Sequence, residues 1–216
     1  MELLKEVIQI YSERSEWFVE LFFQHLALCA TAILLSGTIG LLIGIFISER
    51  EKLAPVILGI TNVCYTIPSI SLLGMLIPLL GIGNKTAITA LTIYGIMPMV
   101  RNTYAGIKNV DGEIIQAAEG MGSTKMQIMT KIKLPLALPI IIAGIRNMVV
   151  MTISTTAVAS FIGAGGLGSS IYRGITMYNP AMTFAGSFLI ALLALVSDLL
   201  LGKIENHLKK RGTCSC

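Results

Sequence analysis

The sequence predicts an all-helical membrane protein that crosses the bilayer with five helices. Its 216 residues are 54% hydrophobic and only 13% charged, whereas an ordinary soluble domain carries about 25% charged residues. The mean hydropathy is +0.79. The apolar residues are gathered in five segments, each close to the roughly 20 residues that a spanning helix needs. A chain of this composition would expose large apolar patches in water, so a soluble fold is disfavoured.

The predicted spans cover about residues 22–47, 53–80, 86–105, 134–162 and 181–201. Pro68 and Pro78 interrupt the second span, and the third span is the shortest of the five. We expect the transmembrane region to occupy residues 21–201 and to be followed by a tail at residues 202–216.

Three glycines in the first predicted span, Gly37, Gly40 and Gly44, allow two interpretations. Small residues let helix backbones approach closely within lipid, which would place these glycines at a helix–helix contact. Glycine is also simply tolerated in membrane helices. The sequence leaves both interpretations open.

The distribution of positive charge predicts the orientation of the chain. An odd number of spans places the two termini on opposite sides of the membrane. If the C-terminus is cytoplasmic, most of the 16 Lys and Arg residues lie inside, Lys5, Arg14, Lys85 and Arg173 lie outside, and Arg146 lies within a span. Because Lys and Arg are enriched in cytoplasmic loops, we expect the N-terminus outside and the C-terminus inside.

Residues 1–20 have the pattern of an amphipathic helix. Its apolar face would comprise Leu3, Leu4, Val7, Ile8 and Tyr11. Such a helix is expected to lie on the outer membrane surface, with Trp17 and Phe18 at the level of the lipid headgroups. The alternative is a frayed polar leader.

The loop at residues 106–133 is hydrophilic and would face the cytoplasm. Asp111 and Glu113 suit the start of a short helix, because acidic side chains are favoured at its positive end. Ser123 is a plausible N-cap for a second, basic segment. Pro135 and Pro139 are expected to break or redirect the chain as it enters the fourth span.

The short helix in this loop would carry few side chains on one face. Ala117, Ala118, Gly120 and Gly122 form this face. A helix face of this kind can enter a groove on another protein. The alternative is an ordinary loop that packs on its own helix bundle.

The loop resembles the EAA loop of ABC importer permeases. The family pattern is Glu-Ala-Ala, three residues, Gly, nine residues, Ile, one residue and Leu-Pro. In this chain Gln116-Ala117-Ala118 begins the pattern, and Gly122, Ile132, Leu134 and Pro135 fall in register. Gln116 is the one departure, since the family usually has glutamate there, and Glu119 is a candidate to compensate.

The resemblance covers nearly the whole chain and implies a type I ABC importer permease with five spans in a bacterial plasma membrane. It implies that the loop docks on one of two separate cytoplasmic ATPase subunits, and that a second permease and an extracellular substrate-binding protein complete the transporter. ATP hydrolysis is expected on the partner, since the chain contains no G-x-x-x-x-G-K-[S/T] motif. The resemblance assigns coupling to Gln116, Ala117, Ala118, Glu119, Gly120, Gly122, Ile132, Leu134 and Pro135.

Two further segments resemble the osmoprotectant permeases, which import glycine betaine, carnitine, choline and related quaternary ammonium solutes. These segments are the glycine-rich residues 155–175 and the apolar residues 61–83. Methionine importer permeases share a related glycine-rich end, so a methionine-type or other small-solute importer remains an alternative. The glycine spacing does not fit a dinucleotide-binding loop. No cofactor, metal or nucleic acid is expected.

Arg146 in the fourth span and Asp198 in the fifth would lie in the same leaflet. Charged side chains within a bilayer are costly and commonly pair. We expect either an Arg146–Asp198 ion pair or separate snorkelling of each side chain to the membrane surface.

Small polar residues on the second and fourth spans are candidates to line a translocation pathway. They are Asn62, Thr66, Ser69, Thr152, Thr155, Thr156 and Ser160. Hydrogen bonds between helices are the alternative use of such residues. A quaternary ammonium solute would be held by aromatic faces, but only 6% of the residues are aromatic. We therefore expect no high-affinity solute site in this chain.

Two other classes of protein are weaker interpretations of the sequence. A secondary transporter often contains internal repeats, and no convincing repeat is present here. An intramembrane enzyme would need a catalytic cluster, and His25 and His207 lie far apart in the sequence.

Overall fold

The computed structural model describes residues 2–213, all of whose regular structure is helical. The helices are α1 (Glu2–Glu13), α2 (Ser15–Ser48), α3 (Ala54–Thr66), α4 (Ser69–Leu80), α5 (Asn84–Lys108), α6 (Gly112–Gly120), α7 (Lys125–Ile128), α8 (Leu134–Ala159), α9 (Gly168–Thr176) and α10 (Pro180–Thr213). A π-helical segment, Met129–Lys133, joins α7 to α8, and a 3₁₀ turn, Ser160–Ile162, ends α8. Cys214 and Cys216 lie outside the described residues.

Among the described residues, three helices are long and apolar enough to cross a membrane. They are Ser15–Ser48, Lys125–Ile162 and Pro180–Lys209. A fourth crossing is possible if α3 and α4, which meet at an angle of 96°, form one broken span. The helix at the third predicted span, α5, is long enough but falls short in apolar character.

Pro68 causes the sharp bend between α3 and α4. A residue that precedes proline is driven out of the helical region, and Ile67 is extended, with φ −65° and ψ 128°. The Tyr94 hydroxyl donates a hydrogen bond to the Ile67 carbonyl, which is free because the helix ends there. Pro78, the second proline of the predicted span, lies inside α4 without ending it.

α5 lies at the centre of the bundle, between α2 and α8, and this position explains its modest apolar character. Its close approach to α2 depends on glycine. A Cβ at Gly40 would lie 2.6 Å from the Met99 Cβ, and one at Gly44 would lie 2.5 Å from the Thr103 Cβ. Gly40 and Gly44 are therefore packing residues. Since its neighbours shield α5 from lipid, the helix needs fewer apolar side chains than an outer helix does.

The N-terminal helix α1 packs against α10. Val7 is buried, and the Tyr11 hydroxyl donates a 2.7 Å hydrogen bond to the Ala185 carbonyl of α10. Leu4 and Ile8, on the other part of the apolar face, are exposed. The N-terminal segment is thus a docked helix whose remaining apolar surface is available to lipid.

The expected break at Pro135 and Pro139 is absent. A continuous helical rod runs from Lys125 to Ile162 through both prolines. Pro135 falls in the first turn of α8, directly after the π-helical segment Met129–Lys133. The wider π turn gives the proline ring room where it would otherwise meet the carbonyl of the preceding turn, so the helix continues. α10 likewise continues to Thr213, beyond the predicted end of the span at Leu201.

Candidate functional site

The hydrophilic loop folds into a helical hairpin, here called the coupling hairpin and defined as residues 111–128. Its first helix, α6, begins at Asp111, whose side chain accepts a 2.9 Å hydrogen bond from the Glu113 amide. An acidic N-cap satisfies a free backbone amide and also suits the positive end of the helix. This cap fixes where the hairpin starts.

A Schellman turn ends α6 and reverses the chain. The Gly122 amide donates to the Glu119 carbonyl at 2.9 Å, and the Ser123 amide donates to the Ala118 carbonyl at 3.0 Å. Gly122 has a φ of +83°, a left-handed conformation that glycine adopts without the steric cost of a Cβ. Gly122 is therefore required by the turn itself.

The second helix of the coupling hairpin begins at Thr124, one residue later than predicted. Thr124 and Gln127 form a capping box: the Gln127 amide donates to Thr124 Oγ1 at 3.3 Å, and the Thr124 amide donates to Gln127 Oε1 at 2.8 Å. Ser123 is not the N-cap: its amide closes the turn after α6, and the Thr124 hydroxyl accepts the capping hydrogen bond.

The exposed surface of the coupling hairpin carries two methionines beside three of the four predicted small residues, Ala117, Gly120 and Gly122. Ala118 is only 2% exposed and faces its own chain, so it does not belong to an exposed small-residue face. Met121 and Met126 are 81% and 72% exposed. Both were missed in the sequence, although they flank the glycine break in an otherwise polar stretch. Methionine side chains adapt to irregular partner surfaces.

The other residues assigned to coupling lie in two places. Gln116, Ala117, Glu119 and Gly120 are exposed on α6 of the coupling hairpin. Ile132, Leu134 and Pro135 lie instead in the π-helical segment and the first turn of α8, where Leu134 packs against the buried cluster around Met99 and Ala137. The family pattern therefore spans both the coupling hairpin and the start of α8, which follows it.

Two ion pairs, here called the charge clasp, tie the α2–α3 loop to both sides of the coupling hairpin. Lys133 Nζ lies 2.7 Å from Glu49 Oε1, and Lys108 Nζ lies 2.6 Å from Glu51 Oε1. The hydrogen bond from Lys108 lowers the pKa of Glu51, and that bond likewise raises the pKa of Lys108. Sequence reasoning missed this clasp, although Glu49 to Lys52 alternate in charge.

The structure brings Arg146 and Asp198 together. Arg146 Nε and Nη2 donate to the two Asp198 carboxylate oxygens at 2.6 and 2.7 Å, the two-point geometry that suits a guanidinium. Arg146 Nη1 also donates to Glu205 at 3.1 Å, and Lys209 Nζ lies 2.6 Å from the other oxygen of Glu205. Glu205 was missed, although it lies seven residues, or about two helical turns, after Asp198.

Three of the seven predicted pathway residues lie buried between helices. They are Thr152, Thr156 and Ser160. Thr156 accepts a hydrogen bond from the Cys29 thiol at 3.3 Å, and Ser160 donates one to the Gly165 carbonyl at 2.6 Å. Thr156 and Ser160 thus hold α8 against α2 and the glycine-rich loop, whereas the buried Thr152 hydroxyl has no hydrogen-bond partner among the described residues.

The remaining four predicted pathway residues are accessible. Asn62 and Thr66 are exposed on α3, whereas Ser69 on α4 and Thr155 on α8 are half-buried. Asn62 also lines a cavity of about 520 Å³ between α3 and α5.

The glycine-rich loop between α8 and α9 lies at the end of the bundle opposite the coupling hairpin. Gly163, Gly165 and Gly166 all have positive φ angles. Gln24 of α2 accepts a 3.1 Å hydrogen bond from the Gly166 amide. Gly165 has a φ of +78°, a left-handed conformation in which any other residue would be strained.

No group of three or more His, Cys, Asp or Glu side chains that could hold a metal ion occurs within residues 2–213. The acidic and basic side chains of the two clusters described above are paired with one another instead.

Comparison with known proteins adds a family and a fold. Residues 36–210 match the family described as "Binding-protein-dependent transport system inner membrane component". The chain is 37% identical over 209 residues to the carnitine transport permease protein OpuCD of Listeria monocytogenes serotype 1/2a (strain 10403S), covering 96% of this chain and 94% of that protein. It is 36% identical over 217 residues to the glycine betaine/carnitine/choline transport system permease protein OpuCD of Bacillus subtilis (strain 168), covering 98% and 95%. A solved structure of the MetNI methionine ABC transporter in an inward-facing conformation superimposes with a TM-score of 0.82 at 25% identity, covering 91% of this chain and 98% of that one.

Proposed function

This chain belongs to the binding-protein-dependent transport system inner membrane components, and from that premise we propose that it is the permease subunit of an ATP-driven importer for quaternary ammonium osmoprotectants. The solutes in question are glycine betaine, carnitine, choline or close analogues. The observation that carries the proposal is the near full-length similarity, at 36–37% identity, to permeases named for these solutes.

In the proposed topology, five segments cross the membrane. α2, the rod containing α8, and α10 are three of them, the bent pair α3 and α4 is the fourth, and α5 is the fifth. The central position of α5 supports its inclusion, because helices that shield it from lipid also relieve it of the need for a fully apolar surface. The N-terminus lies outside, and the coupling hairpin and C-terminus lie in the cytoplasm, as the positive charges favour.

The coupling hairpin is the proposed contact with the ATPase. Two cytoplasmic ATPase subunits close on ATP, and two permease subunits, either copies or paralogues, pass that motion to their spans. The exposed Met121 and Met126 give the hairpin an adaptable apolar contact. The charge clasp and the continuous helix from Lys125 to Ile162 connect this contact to the membrane region.

Solute capture is assigned to an external binding protein. The accessible residues Asn62, Thr66, Ser69 and Thr155 are the proposed pathway lining in this subunit. They offer hydrogen bonds and no aromatic cage, which is the usual device for a quaternary ammonium group. The isolated permease in detergent should therefore give no calorimetric signal for glycine betaine at micromolar solute, and tight binding would contradict this division of labour.

Transport by the reconstituted complex tests the proposed function directly. The permease, its ATPase and its binding protein are placed in proteoliposomes, and uptake of labelled carnitine, glycine betaine, choline and methionine is measured. We expect uptake of at least one quaternary ammonium solute that requires both ATP and binding protein. Uptake driven by an ion gradient without ATP would instead identify a secondary transporter.

Methionine is the informative competitor in that assay, because the fold also resembles the permease of a methionine transporter. An excess of unlabelled methionine should leave carnitine uptake unchanged. ATP-dependent uptake of methionine, without uptake of any of the three quaternary ammonium solutes, would identify this chain as the permease of a methionine-type importer.

A further inference from the structure

The turn between α9 and α10 forms an apolar tip at the end of the bundle opposite the coupling hairpin. The rod that starts in the hairpin at Lys125 ends at Ile162, and α9 and the start of α10 follow at that far end. Met177 and Tyr178, here called the outer tip, are 60% and 94% exposed.

Tyr178 occupies a backbone position that normally belongs to glycine. Its amide donates to the Ile175 carbonyl at 3.2 Å, and the Asn179 amide donates to the Gly174 carbonyl at 2.8 Å. These two bonds form a Schellman turn, whose left-handed residue is usually glycine. Tyr178 has a φ of +52° and is the one non-glycine residue with positive φ within residues 2–213.

Elsewhere the same chain places glycine at this position. Gly122 closes the equivalent turn after α6 with a φ of +83°, and Gly163 follows the 3₁₀ turn after α8 with a φ of +74°. A tyrosine in this conformation strains the backbone, because its Cβ approaches the neighbouring carbonyl. Strained residues that persist in a structure point to a use for the side chain.

Packing within the chain does not explain the tyrosine, because the ring is almost completely exposed. The backbone beneath it, however, is firmly held. The Asn179 side chain accepts a 2.9 Å hydrogen bond from the Met182 amide, and a Cβ at Gly174 would lie 2.3 Å from Thr183 Oγ1. The turn therefore presents an aromatic ring on a fixed support, which lowers the entropy cost of using that ring in binding.

Rigid, exposed aromatic residues are typical anchors of protein–protein interfaces. An aromatic residue that merely marks the membrane surface needs no left-handed backbone, since any exposed position in the first turn of α10 would serve. The family to which the chain belongs depends on a binding protein, and in the proposed topology the outer tip faces the side on which that protein arrives.

We propose that the outer tip is an anchor for the external solute-binding protein, with the Tyr178 ring entering an apolar pocket on its surface. The proposal rests on the function and orientation proposed above. It assigns to Met177 and Tyr178 a role in partner recognition rather than in the translocation pathway.

The Tyr178→Gly variant provides the test, because it removes the ring and also relaxes the backbone. In proteoliposomes containing permease and ATPase, uptake is measured against the concentration of liganded binding protein. The half-maximal concentration should rise about tenfold, equivalent to about 1.4 kcal/mol, while the thermal midpoint is no lower than that of the wild type. Tyr178→Phe should retain the wild-type value. Phe23→Ala, which removes another exposed ring from α2, should also leave it unchanged.

An unchanged half-maximal concentration in Tyr178→Gly would overturn the anchor. An unchanged half-maximal concentration together with poorer membrane insertion of Tyr178→Gly would identify the Tyr178 ring as a membrane-surface residue. That outcome would also overturn the anchor. If uptake by the wild-type complex did not depend on the binding protein, the proposed function would be contradicted, and so would the anchor that rests on it. The wild-type titration thus separates the two failures.

Discussion

At the scale of single residues, the left-handed positions determine how the helices end. Gly122 and Tyr178 close the same kind of turn at opposite ends of the bundle. Gly122, at the end assigned to the ATPase, adopts the left-handed conformation without backbone strain. Tyr178, at the end assigned to the binding protein, adopts it with backbone strain. The family pattern includes Gly122, and the geometry gives the reason: a side chain there would strain the turn that presents Met121.

Gly122→Trp is expected to uncouple ATP hydrolysis from uptake while the protein still inserts into the membrane. A residue with a Cβ costs about 1–2 kcal/mol in this conformation, and the indole adds bulk beside Met121. Uptake per ATP should fall about fivefold or more. Gly74→Trp in α4 is the matched control, because Gly74 is helical, has open space around its Cβ position and lies outside the coupling hairpin. Normal coupled uptake by Gly122→Trp would contradict the assignment.

Arg146 is the second residue whose role is set by its surroundings. Its guanidinium spans Asp198 and Glu205, two acidic residues on one face of α10. Pairing lowers the cost of keeping these charges in or near the bilayer. The side chains of Arg146 and Asp198 are about one-third exposed, so the pair contributes less to stability than a fully buried one would.

Removing Arg146 alone should destabilise the protein more than removing the pair. Arg146→Met leaves Asp198 without its partner, and we expect a thermal midpoint below that of the wild type. The double variant Arg146→Met/Asp198→Leu should recover most of that loss, because neither charge then remains unpaired. Thermal midpoints in detergent provide the measurement. Equal midpoints for wild type and Arg146→Met would show that the pair adds no stability.

At the scale of helices, the charge clasp links three elements that are distant in sequence. Glu49 follows α2, Glu51 precedes α3, and their lysine partners lie at the end of α5 and just before α8. Exposed ion pairs stabilise a protein only slightly. The clasp is therefore better suited to fixing the orientation of the coupling hairpin than to holding the fold together.

Charge reversal at Glu49 and Lys133 tests this role. Glu49→Lys or Lys133→Glu should change the free energy of unfolding by only about 0.2–1 kcal/mol, yet lower uptake per ATP. The double variant Glu49→Lys/Lys133→Glu should restore uptake per ATP, because it re-forms the ion pair with the two charges exchanged. Glu2→Lys on the exposed surface of α1 serves as the charge control. Coupling that survives both single reversals would exclude the Glu49–Lys133 pair from the transmission of motion.

Part of the fold and site could be predicted from sequence, and the exceptions have physical causes. Long apolar runs located the outer helices, because lipid contact demands apolar side chains. The same criterion made the span at α5 the shortest of the five, because the surface of α5 meets protein and carries fewer apolar side chains. The N-cap of α7 was placed one residue early, because the turn after α6 extends through Ser123 and the capping box starts at Thr124. The burial of Ala118 depends on tertiary packing, which a local pattern does not contain.

At the scale of the whole molecule, the topology places the two proposed contact sites, for the binding protein and for the ATPase, at opposite ends. The outer tip and the glycine-rich loop lie together at one end, and the coupling hairpin and the charge clasp lie at the other. In the proposed orientation the N-terminus and the C-terminus lie on opposite sides of the membrane. The chain must therefore cross the membrane an odd number of times.

Single cysteines at the two ends test this topology. Tyr178→Cys should react with a membrane-impermeant maleimide on intact cells, whereas Met121→Cys should react only in inverted vesicles. Both positions are strongly exposed, so access is not limited by packing. The background protein has its four native cysteines replaced. Labelling of both positions from one side would rule out the proposed arrangement.

The continuous helix from Lys125 to Ile162 has a mechanical consequence. Its 38 residues give a lever about 57 Å long. Arg146, tied to α10, divides this lever into arms of about 32 Å on the hairpin side and about 24 Å on the outer side. In the proposed importer, with that ion pair as a pivot, a displacement of the hairpin would move the outer end in the opposite direction through about three-quarters of the distance. One helix would then link closure at the inner face to opening or closing at the outer face.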